Sequence, residues 1–119
     1  MKLKVLVTGA TGLVGSHFVQ NAYDFTILSP NQDELNLLDE QSIQKYLEEH
    51  NPDWIINFAA FTDVNAAENQ RGDESGQCWK INVDGVDNLL KNFKSKNFIQ
   101  ISTDMVFTGS VDNPGPYDE

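Results

Sequence analysis

The chain is 119 residues long, the size of one domain, and its 39% hydrophobic content is enough for an ordinary globular core. Eighteen Asp and Glu residues against eight Lys and Arg give a formal net charge of -10, which would repel nucleic-acid phosphates and anionic membrane surfaces. The single cysteine excludes an intramolecular disulfide, and no apolar run approaches the roughly 20 residues that a membrane span needs. Since the start also lacks a secretory signal, we expect a cytoplasmic protein, one domain over residues 1–119, that binds neither nucleic acid nor membrane.

Short apolar runs alternate with segments of helical periodicity along the whole chain, a pattern typical of a parallel α/β sheet. Strands are predicted at Leu3–Val7, Phe25–Leu28, Glu34–Leu37, Trp54–Phe58 and Phe98–Ser102. The first helix is predicted at about Leu13–Asn21, with Leu13, Val14 and Phe18 on its buried face.

Two further helices follow in chain order. Asp39 is expected to cap the second, which Asn51 and Pro52 end. From Gln77 onward, apolar residues recur at intervals of four and three and predict a buried stripe along a helix of about five turns. That stripe consists of Trp79, Val83, Val86, Leu90 and Phe93.

A glycine-rich turn, TGATGLVG over residues 8–15, follows the first predicted strand and opens the first helix. Glycine adopts the backbone angles of a tight turn without strain, and its missing Cβ lets a pyrophosphate approach the N–H groups at a helix N-terminus. The alternative is a glycine-rich turn that binds nothing. A strand before the turn and a helix after it favour nucleotide binding.

The position that usually distinguishes NAD from NADP carries no acid here. In dinucleotide-binding folds, a carboxylate about 20 residues past the first glycine binds the adenosine ribose, and that position is Ser29. Since no Arg or Lys stands near it to pair with a 2′-phosphate, NADP or NAD would fit, with a slight preference for NADP. Asn36 and Leu37 are candidate adenine contacts, and an ordinary turn explains Asn36 equally well.

Small and polar residues end two further predicted strands. Ala59 and Ala60 leave room beside a ligand in the crevice where open α/β sheets bind cofactors, and close helix packing would explain them equally well. Ser102, Thr103 and Asp104 bring hydroxyls and a carboxylate to the same edge. By position alone, a capping or turn role for these three is the stronger alternative.

No metal site or reactive thiol is predicted. His17 and His50 lie on separate predicted helices without metal-ligand spacing to each other or to Cys78, so we expect surface histidines. Cys78 stands next to Trp79 with no evident base beside it, which indicates a packed thiol.

Four segments together resemble one family. They are the glycine-rich turn, residues 52–68 (PDWIINFAAFTDVNAAE), Asn82 with Val83, and residues 101–109 (ISTDMVFTG). These are similar to the extended short-chain dehydrogenases and, within them, to the dTDP-4-dehydrorhamnose reductase group. The resemblance implies a Rossmann-type, doubly wound parallel sheet with strand order 3-2-1-4-5 in three α/β/α layers.

The resemblance also implies a dinucleotide site and a reaction. The implied cofactor is NADP or NAD, and the implied activity is NAD(P)H-dependent reduction of a nucleotide-linked 4-keto sugar. A nucleotide sugar is therefore the expected partner, and a homodimer is an assembly that the resemblance allows. The implied cofactor-binding residues are Gly9, Thr11, Gly12, Leu13, Val14, Gly15, Ser29, Asn36, Leu37, Ala59, Ala60, Phe61, Asn82 and Ser102.

In that family a strand-end threonine, here Thr103, acts with a tyrosine and a lysine from a Tyr-x-x-x-Lys segment. The tyrosine donates a proton to the ketone as hydride arrives from the nicotinamide. Residues 1–119 contain no Tyr-x-x-x-Lys, and residues 116–119 (PYDE) resemble the stretch just upstream of that tyrosine. We therefore expect the N-terminal, dinucleotide-binding part of a reductase, inactive by itself. Met105 departs from the pattern, since relatives usually carry tyrosine there.

Two other functions stay open at this point. A non-catalytic dinucleotide-binding subunit, of the kind that regulates methionine adenosyltransferase, would need no catalytic tyrosine. A sugar-nucleotide epimerase or dehydratase would hold its cofactor throughout turnover, so cofactor retained through purification would indicate that class.

Overall fold

The computed structural model describes residues 2–103, 110–112 and 115–116, and within these ranges four strands form one parallel sheet. The strands are β1 (Lys4–Thr8), β2 (Thr26–Leu28), β3 (Trp54–Asn57) and β4 (Phe98–Gln100). They lie side by side in the order β2-β1-β3-β4. The predicted α/β class with a parallel sheet is confirmed, and all four carboxyl ends meet at one edge, here called the carboxyl edge.

The segment predicted as a third strand, Glu34–Leu37, forms turns instead. Asn31 and Glu34 bond each other reciprocally: Glu34 N donates to Asn31 Oδ1 at 2.9 Å, and Asn31 N donates to Glu34 Oε1 at 3.1 Å. Leu38 N donates to Asn36 Oδ1 at 3.0 Å. These local bonds compete with strand pairing for the backbone N–H groups. In the described ranges, the predicted strand order is therefore realised without its outermost member.

Five helices and one π-helical segment connect the strands. They are α1 (Leu13–Asn21), α2 (Glu40–His50), α3 (Val64–Asn69), α4 (Gln77–Trp79), the π-helical segment Lys80–Asp84, and α5 (Gly85–Asn92). As predicted, Asp39 caps α2, accepting bonds from Gln41 N and Ser42 N, and Asn51 ends it in the left-handed conformation at φ 46°. None of the helices in the described ranges combines the length and apolar composition of a transmembrane span.

The main core lies between the sheet and one helical layer. It joins strand residues to α2 and α5 through Leu6, Leu35, Ile43, Tyr46, Leu47, Ile55 and Leu89. Because side chains alternate along a strand, Val5 and Val7 point to the opposite face, where α1 contacts β1. Helices therefore cover both faces of the sheet, and α1 is placed directly after the carboxyl end of β1.

The predicted buried face of α1 is wrong at Leu13 and Val14, whereas Phe18 is half-buried and packs against Phe58. Leu13 is 90% exposed and Val14 61% exposed, whereas Gly15 is buried. The reason is the tight turn before the helix, which packs Gly15 against the backbone of Gly9 and leaves the two larger residues at the open edge.

The apolar stripe predicted from Gln77 is also shifted. Val83 and Leu90 are exposed, while Gly85 and Leu89 are buried. The π-helical segment Lys80–Asp84 precedes them, and a π turn inserts about one extra residue into the helical register. The buried face after that segment is therefore rotated from the one that regular α-helical spacing predicts.

Candidate functional site

The glycine-rich turn packs its first and third glycines against backbone. Gly9 has φ +68°, a conformation that side chains disfavour, and a Cβ there would lie 2.6 Å from Ala59 N. A Cβ on Gly15 would lie 2.2 Å from the carbonyl oxygen of Gly9. The fold itself requires both glycines, because any side chain at either position would overlap main-chain atoms.

The middle glycine is different. Gly12 has φ -72° and ψ 170°, which any residue adopts, and the atom nearest to a Cβ there, Gly9 O, would be 3.4 Å away. Neither packing nor backbone conformation therefore requires a glycine at this position. What glycine provides is an uncovered backbone at an exposed turn, the feature that a pyrophosphate needs for close approach.

Gly12 is also the N-cap of α1, where unpaired backbone N–H groups and the positive end of the helix dipole favour an anion. Among the described residues, no side chain caps this helix, and its first turn contains no acid. The predicted contacts Thr11, Leu13 and Val14 are exposed around the same helix start. The chain as a whole carries a net charge of -10. The start of α1 nevertheless presents unpaired N–H groups and the positive end of the helix dipole, so it is compatible with a bound pyrophosphate.

The loop after β3 lies directly beside this turn. Ala59 N is the atom that a side chain on Gly9 would strike, so the predicted contacts Gly9 and Ala59 are brought together. Ala60 is exposed, and the half-buried Phe61 follows it. Asn82 holds this loop: Phe61 N donates to Asn82 Oδ1 at 2.9 Å, and Asn82 Nδ2 donates to Phe61 O at 3.4 Å.

Asn82 lies in the π-helical segment, a feature that often occurs at functional sites. The sequence identified Asn82 only as an implied cofactor contact. In the structure its side chain bonds the backbone of Phe61, so it holds the loop that contains Ala59 and Ala60.

The predicted adenosine contacts are spread over the end of β2 and the turns that follow. Ser29 is exposed one residue past β2. Asn36 uses its side-chain oxygen to accept Leu38 N, the ordinary turn role that the sequence left open. Leu37 is half-buried and packs against the core, and its carbonyl accepts Asn88 Nδ2 at 2.8 Å. The carboxylate of Glu34, which sequence reasoning missed, is fixed in the same connection by its bond from Asn31 N.

Ser102 and Thr103 follow β4 at the carboxyl edge, and both are exposed. The parallel sheet therefore places Thr103 at the same edge as the glycine-rich turn, as predicted. Asp104, Met105 and Tyr117 lie outside the described residues.

Three polar residues that were not among the predicted site residues end three of the four strands, β1, β3 and β4: Thr8, Asn57 and Gln100. Asn57 is 0% exposed and Thr8 4% exposed. The signal that could have found Thr8 and Asn57 is the pleat, because a polar residue two positions past Leu6 or Ile55 falls on the buried face, whereas Gln100 is exposed.

Among the described residues, the groups with a shifted pKa are Glu40, Tyr46, Asp73 and Lys91, and none of these four is a predicted site residue. Burial raises the pKa of Tyr46, whose ring stacks on His50 at 3.9 Å between centroids. Within the described part of the chain, no three His, Cys, Asp or Glu side chains gather as a metal site would need. Within these ranges, the predicted contacts are therefore backbone groups and neutral side chains.

A parallel sheet with a glycine-rich turn leading into a helix at its carboxyl edge is the architecture of Rossmann-type nucleotide-binding proteins. The chain belongs to the RmlD substrate binding domain family, which matches residues 2–119. The predicted membership of the dTDP-4-dehydrorhamnose reductase group is thereby confirmed.

Individual relatives support the same family assignment. The chain is 34% identical over 122 residues to dTDP-4-dehydrorhamnose reductase of Mycolicibacterium smegmatis, covering 99% of this chain and 35% of that protein. It is 35% identical over 127 residues to methionine adenosyltransferase 2 subunit beta of Pongo abelii, covering 98% and 36%. The crystal structure of dTDP-4-dehydrorhamnose reductase from Bacillus anthracis in complex with NADP aligns with a TM-score of 0.66 at 30% identity, covering 75% of this chain and 31% of that one. The chain thus spans about a third of the length of these relatives.

Proposed function

We propose that residues 1–119 form the NADP(H)-binding part of a reductase that acts on nucleotide-linked 4-keto sugars. The observation that carries this proposal is Gly12, a glycine that neither the backbone conformation nor the packing requires, at the uncapped start of α1. A ligand that must approach the backbone closely explains why no side chain stands there. The relatives named dTDP-4-dehydrorhamnose reductase supply the substrate class.

The residues of the carboxyl edge divide between the parts of such a cofactor. Gly12 and the N–H groups that open α1 would hold the pyrophosphate, with Thr11, Leu13 and Val14 around it. Ser29, Asn36 and Leu37 would contact the adenosine half. Ala59, Ala60 and Phe61, held by Asn82, would line the crevice between the turn and the end of β4.

A nicotinamide bound in this crevice would supply hydride. Ser102 and Thr103 lie at the end of β4, where the Thr103 hydroxyl would donate a hydrogen bond to the substrate carbonyl and orient it. A threonine hydroxyl has no acidity near neutral pH, so Thr103 positions the carbonyl without protonating it. The proton donor must be another group.

NADP is the cofactor that we propose. Ser29 places no carboxylate against a 2′-phosphate, and the related Bacillus anthracis reductase was crystallised with NADP. The carboxylate of Glu34, fixed by Asn31 N, moderates this preference because it adds negative charge to the same connection.

A second candidate function is a non-catalytic regulatory subunit. It is favoured by the 35% identity to methionine adenosyltransferase 2 subunit beta, which is within one percentage point of the 34% identity to the Mycolicibacterium smegmatis reductase. Both candidates bind a dinucleotide through the same turn. A stable complex with a methionine adenosyltransferase, measured by size-exclusion chromatography, would favour the regulatory function.

The test of dinucleotide binding is calorimetric titration of the 119-residue chain with NADPH. Gly12→Val should abolish binding, because its side chain would occupy the pyrophosphate position, and it should still fold, because a Cβ at Gly12 comes no closer than 3.4 Å to another described atom. Gly12→Ala should weaken binding less. Equal affinity of the wild type and Gly12→Val for NADPH would contradict the proposal.

A further inference from the structure

The last residues of three neighbouring strands form one polar row across the carboxyl edge. In the strand register, Thr8 of β1 is paired with Asn57 of β3, and Asn57 is paired with Gln100 of β4. Residues paired in this way point to the same face of the sheet. Thr8 and Asn57 stand two residues after the core residues Leu6 and Ile55. The row therefore borders the main core on the side of the carboxyl edge.

Hydrogen bonds join the row end to end. The Thr8 hydroxyl donates to Asn57 Oδ1, and Asn57 Nδ2 donates to Gln100 Oε1 at 2.8 Å. Gln100 Nε2 in turn donates to Ile101 O at 3.0 Å. Asn57 therefore uses its amide in both directions, as an acceptor towards β1 and as a donor towards β4.

Burial makes the row costly to break at its centre. Asn57 is 0% exposed, and in the described ranges no buried side-chain nitrogen or oxygen lacks a hydrogen-bond partner. When a buried amide loses a hydrogen-bond partner, its desolvation is no longer compensated. The fold is then destabilised or the amide moves to find another partner. The position of Asn57 thus depends on both Thr8 and Gln100.

Each member of the row directly precedes a loop of the candidate site. Thr8 leads into Gly9, Asn57 leads into the loop that contains Ala59, and Gln100 leads into Ile101 and the residues after it. Asn57 also bonds two of these loops itself: Ala59 N donates to Asn57 Oδ1 at 3.3 Å, and Ile101 N donates to Asn57 O at 3.2 Å. Since Ala59 N abuts Gly9, the position of Asn57 determines how the second loop meets the glycine-rich turn.

We propose that Thr8, Asn57 and Gln100 act as one set of positioning residues that holds the loops after β1, β3 and β4 in the arrangement that binds the dinucleotide. The three side chains need not touch the cofactor. They act through the backbone of Gly9, Ala59 and Ile101. The binding part of this inference rests on the proposed function, whereas the ordering of the loops is a property of the free chain.

The test compares substitutions that remove the bonds of one side chain of the row at a time. Gln100→Met keeps the length of the side chain and removes its bonds to Asn57 and to Ile101 O, and Thr8→Val replaces the hydroxyl with a methyl group. Thr8→Ser is the conservative variant that keeps the hydroxyl. Gln44→Met is the matched control, because Gln44 makes an amide bond to Asn92 at 2.7 Å between α2 and α5, outside the row.

We expect Gln100→Met and Thr8→Val each to raise the Kd for NADPH by about fivefold, the low end of what an orphaned buried partner costs. Titrations are run well below the unfolding midpoint of each variant. Thr8→Ser should restore near-wild-type affinity, and Gln44→Met should leave it unchanged. Changes below twofold in both row variants, or an equal change in Gln44→Met, would overturn the proposal.

The double variant Thr8→Val/Gln100→Met separates a single unit from two independent contacts. If the row acts as one unit, the double variant loses little more affinity than either single variant, because the first change already releases Asn57. Independent contacts would instead multiply to about 25-fold. That multiplication would overturn the claim of one set.

Hydrogen exchange of the free chain distinguishes failure of this inference from failure of the proposed function. Gln100→Met should speed exchange at the amides of Ala59 and Ile101 relative to wild type, and Gln44→Met should not. If the wild type binds no NADPH, the proposed function fails while exchange still decides whether the row orders the loops. If exchange at Ala59 and Ile101 is unchanged in Gln100→Met, the row does not position them.

Discussion

Gly9 and Gly15 stand so close that a methyl group on Gly15 would lie 2.2 Å from the carbonyl oxygen of Gly9. This contact packs the first turn of α1 against the backbone that follows β1. It also explains why Leu13 and Val14 remain exposed, since the helix approaches the sheet through its glycine.

Gly15→Ala should therefore destabilise the fold strongly. We expect a loss of about 3 kcal/mol or more in the free energy of unfolding, because the methyl group overlaps backbone rather than a movable side chain. Gly12→Ala is the matched control and should cost about 1 kcal/mol or less, the difference between glycine and alanine at an N-cap. Urea denaturation of the two variants measures both values. Similar losses would show that Gly12 is also required by packing.

Discrimination between NADP and NAD should be modest, within about tenfold, with NADP bound more tightly. Ser29 supplies neither a repelling acid nor a pairing cation, so a 2′-phosphate is tolerated without being strongly attracted. Competitive titration of NADPH and NADH gives the ratio.

Glu34→Gln should raise the preference for NADPH, because it removes the carboxylate fixed by Asn31 N. Asp33→Asn is the control, an acid of the same connection. A hundredfold preference of the wild type for NADH would show that one of these acids reaches the ribose, and the variant that reverses it would identify which.

The stability of the α2–α5 contact should depend on pH through Glu40. Hydrogen bonds from Asn92 and Lys91 hold the pKa of Glu40 below its usual 4.5 in the folded chain. A carboxyl group with a lowered pKa stabilises the fold above its unfolded pKa, and this contribution is lost as pH falls through the folded pKa. Glu40→Gln should therefore be less stable than wild type at pH 7, and the difference should shrink as the pH falls below about 4.5.

Thermal unfolding of both proteins across this range measures the effect. Glu48→Gln, on the same helix and without an ion pair in the described residues, should not reproduce it. A difference between wild type and Glu40→Gln that persists undiminished at low pH would assign the effect to packing or helix propensity.

The sequence predicted those features that depend on local periodicity and on glycine. Alternating apolar runs were enough for the parallel sheet, and the spacing of Gly9, Gly12 and Gly15 was enough for the turn. Features that depend on tertiary competition were not predictable in this way. Glu34 prefers a reciprocal bond with Asn31 over strand pairing, and the π-helical segment rotates the buried face of α5.

At the carboxyl edge too, some features were predictable from local sequence and others depend on the tertiary structure. Residue type and position indicated the loops that contain Ala59 and Thr103. The row of Thr8, Asn57 and Gln100 depends on which strands are neighbours and in which register, and no local pattern encodes that. That Thr8, Asn57 and Gln100 are neighbours can be seen only once the three strands are paired in the sheet.

The 119-residue chain should bind NADPH without oxidising it steadily in the presence of a dTDP-linked 4-keto sugar, because residues 1–119 contain no Tyr-x-x-x-Lys and Thr103 cannot supply the proton. General acid catalysis is worth about 10² to 10⁴-fold, and poor positioning of the substrate would add to the loss. Absorbance of NADPH at its nicotinamide band follows the reaction directly.

A chimera tests the role of Thr103 where a general acid is supplied. Residues 1–119 would replace the matching 35% of the Mycolicibacterium smegmatis reductase. The chimera should reduce the sugar, and Thr103→Ala in it should lower kcat by about tenfold or more with a smaller change in the Kd for NADPH, since the hydroxyl orients the carbonyl rather than the cofactor. Thr103→Ser should retain most of the rate. Steady NADPH oxidation by the 119-residue chain alone would mean that another group of this chain, with Asp104 the first candidate, donates the proton, and the assignment of Thr103 as a positioning hydroxyl beside an external acid would be wrong.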